Sequence, residues 1–394
     1  MRVTGIIAAV VSVLSLPVYA ATPSEPYKVF FGNLHAHSSY SDGSGTPAEA
    51  FTFARDTGKL DFMALSEHNH ASAEMGAKER RDGLMIATQE DLYNGDGENS
   101  VTSAARRATE DGRFVALAGQ EFSAISKGNH INVFEIKPVI KTENGAFDQL
   151  FRFLAATPDS LGEPALVMLN HPGDFKGPEE YGEDDCPDRK TWIATLNKYA
   201  ALIEVLSGPA MAKTKKRPTG NAQRDYFHYL SLGLYLAPTA SQDNHYKTWG
   251  TATDTRTGVL AKSLTKADIL NALKARRAYA THDKNLRVWF RVGGNLMGDI
   301  VKAGADLKAV NATVTIEDGD EPQAHYKIEL LRGVVGGGDD TAVVTQRELV
   351  GDGSVRFENV RYRGGRSYYL VRIAQSSGRG PKDMTWTAPV WIEP

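Results

Sequence analysis

Val29-Phe30-Phe31-Gly32-Asn33-Leu34-His35-Ala36-His37 is a short apolar run that finishes on two histidines, and the same design returns at Phe62-Met63-Ala64-Leu65-Ser66-Glu67-His68-Asn69-His70. Apolar stretches of this length read as β-strands. In a strand, residues i and i+2 point to the same side, so His35 and His37 can reach one ion together, as can His68 and His70. Histidine is the commonest metal-binding side chain, and two doublets aimed from neighbouring strand ends argue for a metal centre.

Working outward, further apolar runs at Phe114 to Ala118, Ile131 to Ile136, Leu166 to Leu169, Leu202 to Leu206 and Tyr235 to Thr239 continue the strand series. Helix-like stretches at Thr46 to Thr57, Val101 to Asp111, Phe147 to Ala155, Trp192 to Ala200 and Asn221 to Leu232 alternate with them. This alternation predicts an α/β fold with a mostly parallel sheet and crossover helices. Two long connections, Pro172 to Lys190 and Gly208 to Thr219, break the pattern, and loops of that length are usually functional or disordered. From about Leu286 the texture changes to alternating strands separated by Gly/Asp turns, which predicts a separate small β-sandwich over 286–394.

The chemistry-bearing residues gather at the predicted strand ends. The first strand gives His35, His37 and, after a short loop, Asp42; the second gives Glu67, His68 and His70; the third gives Glu121. The fourth opens with His130, the fifth delivers His171, the sixth Glu204, and the seventh Asp243 and His245. In β/α barrels and open α/β sheets the ligand site lies at the carboxyl ends of the strands, so nearly all of these converge. A lone histidine is more often a hydrogen-bonded core or capping residue. For the set the metal reading wins, because so many imidazoles and carboxylates on one sheet edge are costly to bury without cations.

His35, His37, Asp42, His68, Glu121, His130, His171, Asp243 and His245 are too many ligands for one four-coordinate ion. They imply two or three divalent metals, with Glu121 as the bridging carboxylate. Nitrogen and oxygen ligands accept Zn, Mn or Fe. His70 is as readily a substrate-facing residue or general acid as a ligand, and Glu204 and Asn244 read as buttresses. His228 and His282 read as structural. His325 and the aromatic residues of the last segment read as sandwich core.

Composition narrows the partners. The chain has 394 residues, about two domains' worth, and a formal net charge of −3 with no broad basic surface, which argues against bulk nucleic-acid binding. Cys186 is the only cysteine, so an intramolecular disulfide and a sulfur-ligated zinc site are both excluded. Met1-Arg2, the apolar run Ile6 to Leu16 and Val18-Tyr19-Ala20 have the layout of a secretory signal peptide over 1–20, with an uncleaved anchor as the alternative. The expected location is therefore periplasmic or secreted, with no membrane span after cleavage. Lys213, Lys215, Lys216 and Arg217 form a basic run that is more often a solvated surface than a phosphate clamp.

His35-Ala36-His37, Ser41-Asp42-Gly43, Glu67-His68-Asn69, Gly119-Gln120-Glu121, Gly128-Asn129-His130, Asn170-His171-Pro172, Ser241-Gln242-Asp243-Asn244-His245 and Arg277-Ala278-Tyr279-Ala280-Thr281 together resemble the PHP (polymerase and histidinol phosphatase) metal-dependent hydrolases, and within them the CehA/McbA-like group. The resemblance spans about residues 30 to 285. It implies a distorted (β/α)7 barrel over 27–285 with a trinuclear site: His35, His37, Glu121 and Asp243 on one metal, Glu121, His130 and His171 on a second, Asp42, His68 and His245 on a third. Glu67 stands where the family commonly has Asp, and Gln242 precedes Asp243 where Ser or Gly is frequent. The amidohydrolase superfamily also begins with HxH, but it typically bridges its metals through a carboxylated lysine, and no strand-end lysine offers itself here.

The expected reaction is phosphoester hydrolysis of a small molecule by a metal-bound hydroxide, with Glu121 bridging, Asp243 orienting the water and His70 as general acid. The alternatives are hydrolysis of a carbamate, carboxylic or sulfate ester on the same site, or an exported binding protein whose C-terminal unit contacts a glycan or a protein.

Overall fold

The computed structural model describes residues 26–69, 100–122, 130–140, 142, 147–172, 189–338, 341–376 and 383–394. Residues 1–20, expected to be a leader, together with His70, Gly128-Asn129 and Cys186 lie outside the described residues.

The first half runs β1 (Lys28–Asn33), α1 (Pro47–Asp56), β2 (Phe62–Asn69), α2 (Val101–Ala108), β3 (Val115–Phe122), β4 (Ile131–Phe134), α3 (Phe147–Ala155), β5 (Leu166–Leu169), α4 (Arg189–Leu196), β6 (Ala200–Ser207), β7 (Gly220–Asn221), α5 (Gln223–Leu232), β8 (Ala237–Ala240), β9 (Arg256–Ala261), α6 (Lys266–Lys274) and β10 (Ala278–Thr281). Local chemistry sets the helix ends. Thr46 and Glu49 exchange side-chain-to-backbone hydrogen bonds around Pro47 at the start of α1, a capping box whose Thr contributes about 1 kcal/mol. At α2 and α6 the side chains of Ser100 and Thr265 accept the backbone N–H groups of Ser103 and Asp268, and Gly233, with φ at +99°, stops α5.

Hydrogen bonding orders these strands β10-β9-β1-β2-β3-β4-β5-β6, with β8 also beside β6. The β1–β2, β2–β3, β5–β6 and β6–β8 pairs are parallel, as expected. β4 runs against both neighbours, and β9 runs against β1 and β10, so the sheet is less parallel than the sequence reading has it. Residues 123–130 are too few for a helical crossover, and a short connection gives an antiparallel pair. The sheet curls: Asp243 N donates to His35 O at 2.9 Å and His37 N donates to Asn244 O at 2.8 Å, so the exits of β8 and β1 meet.

The remainder runs β11 (Arg287–Val292), β12 (Asn295–Leu296), β13 (Ile300–Lys302), β14 (Ala309–Glu317), β15 (His325–Val334), β16 (Ala342–Val350), β17 (Gly353–Arg361), β18 (Ser367–Ser376), β19 (Asp383–Thr387) and β20 (Val390–Glu393). β12-β11-β14-β17 make one sheet. The other is built on β18, which pairs with β15, β19 and β20, and it joins the first half directly because β19 hydrogen-bonds to β10. One apolar cluster runs through both halves, from Phe31, Phe62 and Val259 to Phe290, Ile316 and Ile373. Tyr326, Tyr368, Trp386 and Trp391 are buried as expected, whereas His325 is exposed at the start of β15 and belongs to no core.

Sequence reading also misses β9, α6, β10, β17 and β19 and the two- and three-residue strands β7, β12 and β13. α4 ends at Leu196 rather than Ala200, because Ala200 already pairs in β6.

Candidate metal centre

Glu121, near the end of β3 and fully buried, is the hub of the strand-end cluster. Its Oε1 lies 3.1 Å from His35 Nε2, 3.0 Å from His130 Nδ1 and 3.5 Å from His171 Nε2. Its Oε2 lies 2.8 Å from His68 Nδ1 and 3.5 Å from His37 Nε2. Five imidazoles from β1, β2, β4 and β5 thus meet one carboxylate. His130 joins them because β4 is reversed: its first residue, not its last, sits at the site edge.

A second carboxylate arrives from the β8 exit. Asp243 Oδ1 is 3.2 Å from His35 Nε2, 3.0 Å from His37 Nε2 and 3.7 Å from His245 Nδ1. Asp42 Oδ1 is 3.1 Å from His245 Nε2 and 3.6 Å from His68 Nε2. The donor atoms fall into four sets, each within 4.8 Å: His37, Asp42, His68 and His245; His35, His171 and Asp243; His35, His37 and Glu121; His68, Glu121 and His130. The structure therefore brings together all nine residues singled out as ligands. The sets overlap: His37 also lies with Asp42, His68 and His245, and His171 lies with His35 and Asp243 as well as beside Glu121.

The surrounding residues fix the ring orientations. Glu204 Oε1 is 2.9 Å from His35 Nδ1, and its Oε2 accepts the His171 backbone N–H at 2.8 Å, so one buried carboxylate aims two ligands. Glu67 accepts from Ser38 N at 2.9 Å and from the hydroxyls of Ser38 and Ser41, which pins the loop leading to Asp42. Trp249 Nε1 donates to His37 O at 3.0 Å. Asn170 Nδ2 donates to Glu121 Oε1 and to Asn132 Oδ1, both at 2.8 Å. Asn33 Oδ1 accepts from Gln242 N at 3.0 Å, and Asn33 Nδ2 donates to Asn244 Oδ1 at 3.0 Å. Sequence reasoning assigned no role to Asn33, Asn132 or Asn170. Asn33 at least carries a signal, because it shares the i, i+2 face of His35 and His37. His171 and Asp243 hold positive φ, at 26° and 51°, a backbone state that costs free energy and concentrates at functional sites.

Electrostatics follows from burial against opposite charge. Burial opposes protonation of His35, but Asp243, Glu121 and Glu204 outweigh it and raise its pKa well above the ordinary value. Burial opposes protonation of His68 too, but Glu121 and Asp42 raise it to about 9. His37 goes the other way, to about 4, through burial and the repulsion of His245 and His68. Burial pushes Asp243 and Asp42 up, yet their histidine partners hold both well below the usual carboxylate range. Burial lifts Glu67 to about 7 against the pull of the Ser38 and Ser41 hydrogen bonds.

His35, His37, Glu121 and Glu204 are closed to solvent, while the side chains of Asp42, His171 and His130 are 34%, 28% and 21% exposed. That rim is the open face. The donor set fits divalent cations. His35 Nε2 and His37 Nε2 approach to 3.2 Å with Glu121 and Asp243 oxygens around them, an arrangement of lone pairs that a shared positive charge stabilises. The basic run stays solvated: Lys215 pairs with Asp254 and Lys213 stacks over the Tyr246 ring at 4.8 Å.

No family model and no curated protein matches the chain. Among solved structures it is similar to a two-domain protein from Bacteroides vulgatus described as containing a predicted PHP-like metal-dependent phosphoesterase, with 17% identity over 93% of this chain and 96% of that one and a TM-score of 0.46. An amidohydrolase from Chromobacterium violaceum aligns at 15% identity over 54% of this chain and 87% of that one, TM-score 0.29. A protein from Bifidobacterium adolescentis whose assignment is a metal-dependent phosphoesterase aligns at 16% over 62% and 95%, TM-score 0.31.

Proposed function

We propose that this chain is a divalent-metal-dependent phosphoesterase on a distorted (β/α)7 PHP-type barrel of the CehA/McbA-like group. The observation that carries the reading is Glu121, whose two oxygens face five imidazoles within 3.5 Å, with Asp243 and Asp42 completing the set. His35, His37, Asp42, His68, Glu121, His130, His171, Asp243 and His245 would hold two or three cations. Bound there, Zn, Mn or Fe supplies Lewis acidity toward the ester oxygens and a reactive water at neutral pH. Divalent charge at the exposed rim favours an anionic ester, phosphate or sulfate, over a neutral acyl or carbamate ester.

The chain's own groups position the reaction. Glu204 locks His35 and the His171 backbone, and Glu67 locks the Asp42 loop. Asp243, held ionised by His35 and His37, accepts a hydrogen bond from the attacking water and aims it at phosphorus. The exposed rim of Asp42, His130 and His171 admits the substrate.

Export belongs to the same proposal. The layout of residues 1–20 supports a cleaved leader, and no described helix is long and apolar enough to cross a membrane. N-terminal mass spectrometry of periplasmic or secreted protein tests it: an intact Met1-Arg2 start there would sink the leader.

The function is tested with p-nitrophenyl phosphate, bis(p-nitrophenyl) phosphate, p-nitrophenyl sulfate, acetate and N-methylcarbamate on protein reconstituted with each metal. Phosphoester turnover abolished in His35→Ala and Glu121→Ala is expected. Faster acyl, carbamate or sulfate cleavage would move the reaction class, and full metal loading without any turnover would leave a binding protein.

A further inference from the structure

A second group of acids lies where the two halves join. Asp283, just past β10, and Asp318 and Glu321, in the β14–β15 turn, each place a carboxylate oxygen within 4.8 Å of the others. Asp318 is fully buried and Asp283 is 7% exposed. Gln375, near the end of β18 and 2% exposed, points its amide into the group. Its Nε2 is 2.9 Å from Asp283 Oδ2, 3.0 Å from Asp318 Oδ2 and 3.2 Å from Glu321 Oε2. An amide nitrogen has two hydrogens to offer and here faces three acceptors, while the buried Gln375 Oε1 has no hydrogen-bond partner at all. Asn285 repeats the pattern: its Nδ2 faces Asp318 and Asp320, and its buried Oδ1 has no partner.

Asp283 Oδ1 accepts the backbone N–H groups of Asn285 and Leu286, and the charges of the buried Arg256 and of Lys284 act on Asp283 from beyond ion-pair distance. Lys284 pairs with Asp320 at 2.8 Å, but among the described residues neither Asp283, Asp318 nor Glu321 forms an ion pair with Lys or Arg. Buried carboxylates are ordinarily paired or bound to metal. A half-turn of the Gln375 amide exchanges its nitrogen for its oxygen and gives a cluster of oxygens alone. Oxygen ligands 2.3–2.6 Å from an ion stand up to about 5 Å apart across it, which is the spacing seen here.

We propose that Asp283, Asp318, Glu321 and the Gln375 carbonyl form a structural site for a hard divalent cation of the calcium type. All-oxygen donors with mixed carboxylate and amide character select calcium over the transition metals that imidazoles prefer. The ion would clamp the exit of β10 to the β14–β15 turn and to β18, so it would stiffen the junction and take no part in the hydrolysis.

The test uses the full chain, loaded with zinc at the histidine centre and held in calcium-free buffer. Added Ca2+ at a hundredfold excess over its dissociation constant should raise the Tm by about 3 °C. One equivalent of Tb3+ should bind with luminescence sensitised by Tyr326, whose hydroxyl is 2.7 Å from Asp318 Oδ2, and Ca2+ should displace it. Asp283→Asn and the half-buried Glu321→Gln should each abolish both signals and leave the bound zinc unchanged. Absence of both signals in the unaltered protein overturns the proposal, and so does their survival in the variants. Asp318→Asn is the most disruptive substitution, and the titrations on the unaltered protein decide the matter even where it does not fold.

Discussion

Two acidic clusters in this molecule share the carboxylate and little else. At the strand ends, Glu121, Asp42 and Asp243 are answered by six imidazoles; at the junction, Asp283, Asp318 and Glu321 are answered by two side-chain amides, a tyrosine and the backbone N–H groups of Asn285 and Leu286. The cost of burying carboxylates is the same problem in both places. Nitrogen donors at strand ends suit transition metals and chemistry, while carboxylates on turns with one amide from a strand suit the hard ion and the rigidity proposed for the junction. Strand geometry also aims the first cluster at an open rim, and the second faces inward.

The largest effect should come from Glu121→Ala. Removing the hub frees five imidazoles from their common carboxylate, and turnover should fall at least about 10^3-fold, several kcal/mol of transition-state stabilisation. Metal analysis should show transition-metal loading lost with it. The calcium response at the junction should persist, and its disappearance would mean that the two clusters are one coupled system.

Glu204→Gln probes the support rather than the hub. It keeps the volume but weakens the grip on His35 Nδ1 and the His171 amide, and such partners typically matter 10–100-fold in metal affinity or activity. A change under threefold in both kcat/KM and zinc affinity would show that Glu204 does not orient these ligands.

Protons sharpen the comparison further. Against the pull of burial, Glu121 and Asp42 raise His68 to about 9, so at pH 7 it holds a proton that a metal must displace. The sign follows: zinc affinity should rise with pH between 6.5 and 8.5, about tenfold per unit for each displaced proton. Chelator-competition titrations at pH 6.5, 7.5 and 8.5 read this directly, and a flat profile contradicts it.

How much of this was legible in the chain differs between the two clusters. The period-two spacing of His35 and His37, and the apolar runs before Glu121, His171 and Asp243, bring all nine ligands together in advance. His130 also hinted at the reversed β4, since a histidine that opens a strand reaches the same edge only if that strand runs backward. Packing between side chains was not legible: Asn170 and Asn132 reach Glu121 through partners far along the chain. That His37 lies within reach of both donor sets likewise depends on ring rotations that spacing does not encode. At the junction nothing announces itself, because residues 283, 318, 321 and 375 come from three separate segments and carboxylates and amides are common on any surface.

The smallest effect should be that of Trp249→Phe. Trp249 is fully buried, donates to His37 O at 3.0 Å and packs edge-on against Phe53 at a centroid distance of 5.8 Å. Phe keeps most of the apolar body and leaves the carbonyl without its donor, which costs about 1–3 kcal/mol. Stability should fall by that amount in urea, and kcat by a few-fold because the exit of β1 is less firmly held. The calcium-dependent rise in Tm should be untouched, since no strand carries the junction ligands past Trp249. If the calcium response falls with Trp249→Phe, rigidity is shared across the β9–β10–β19 sheet, and the division between a chemical cluster and a structural one is weaker than their ligands imply.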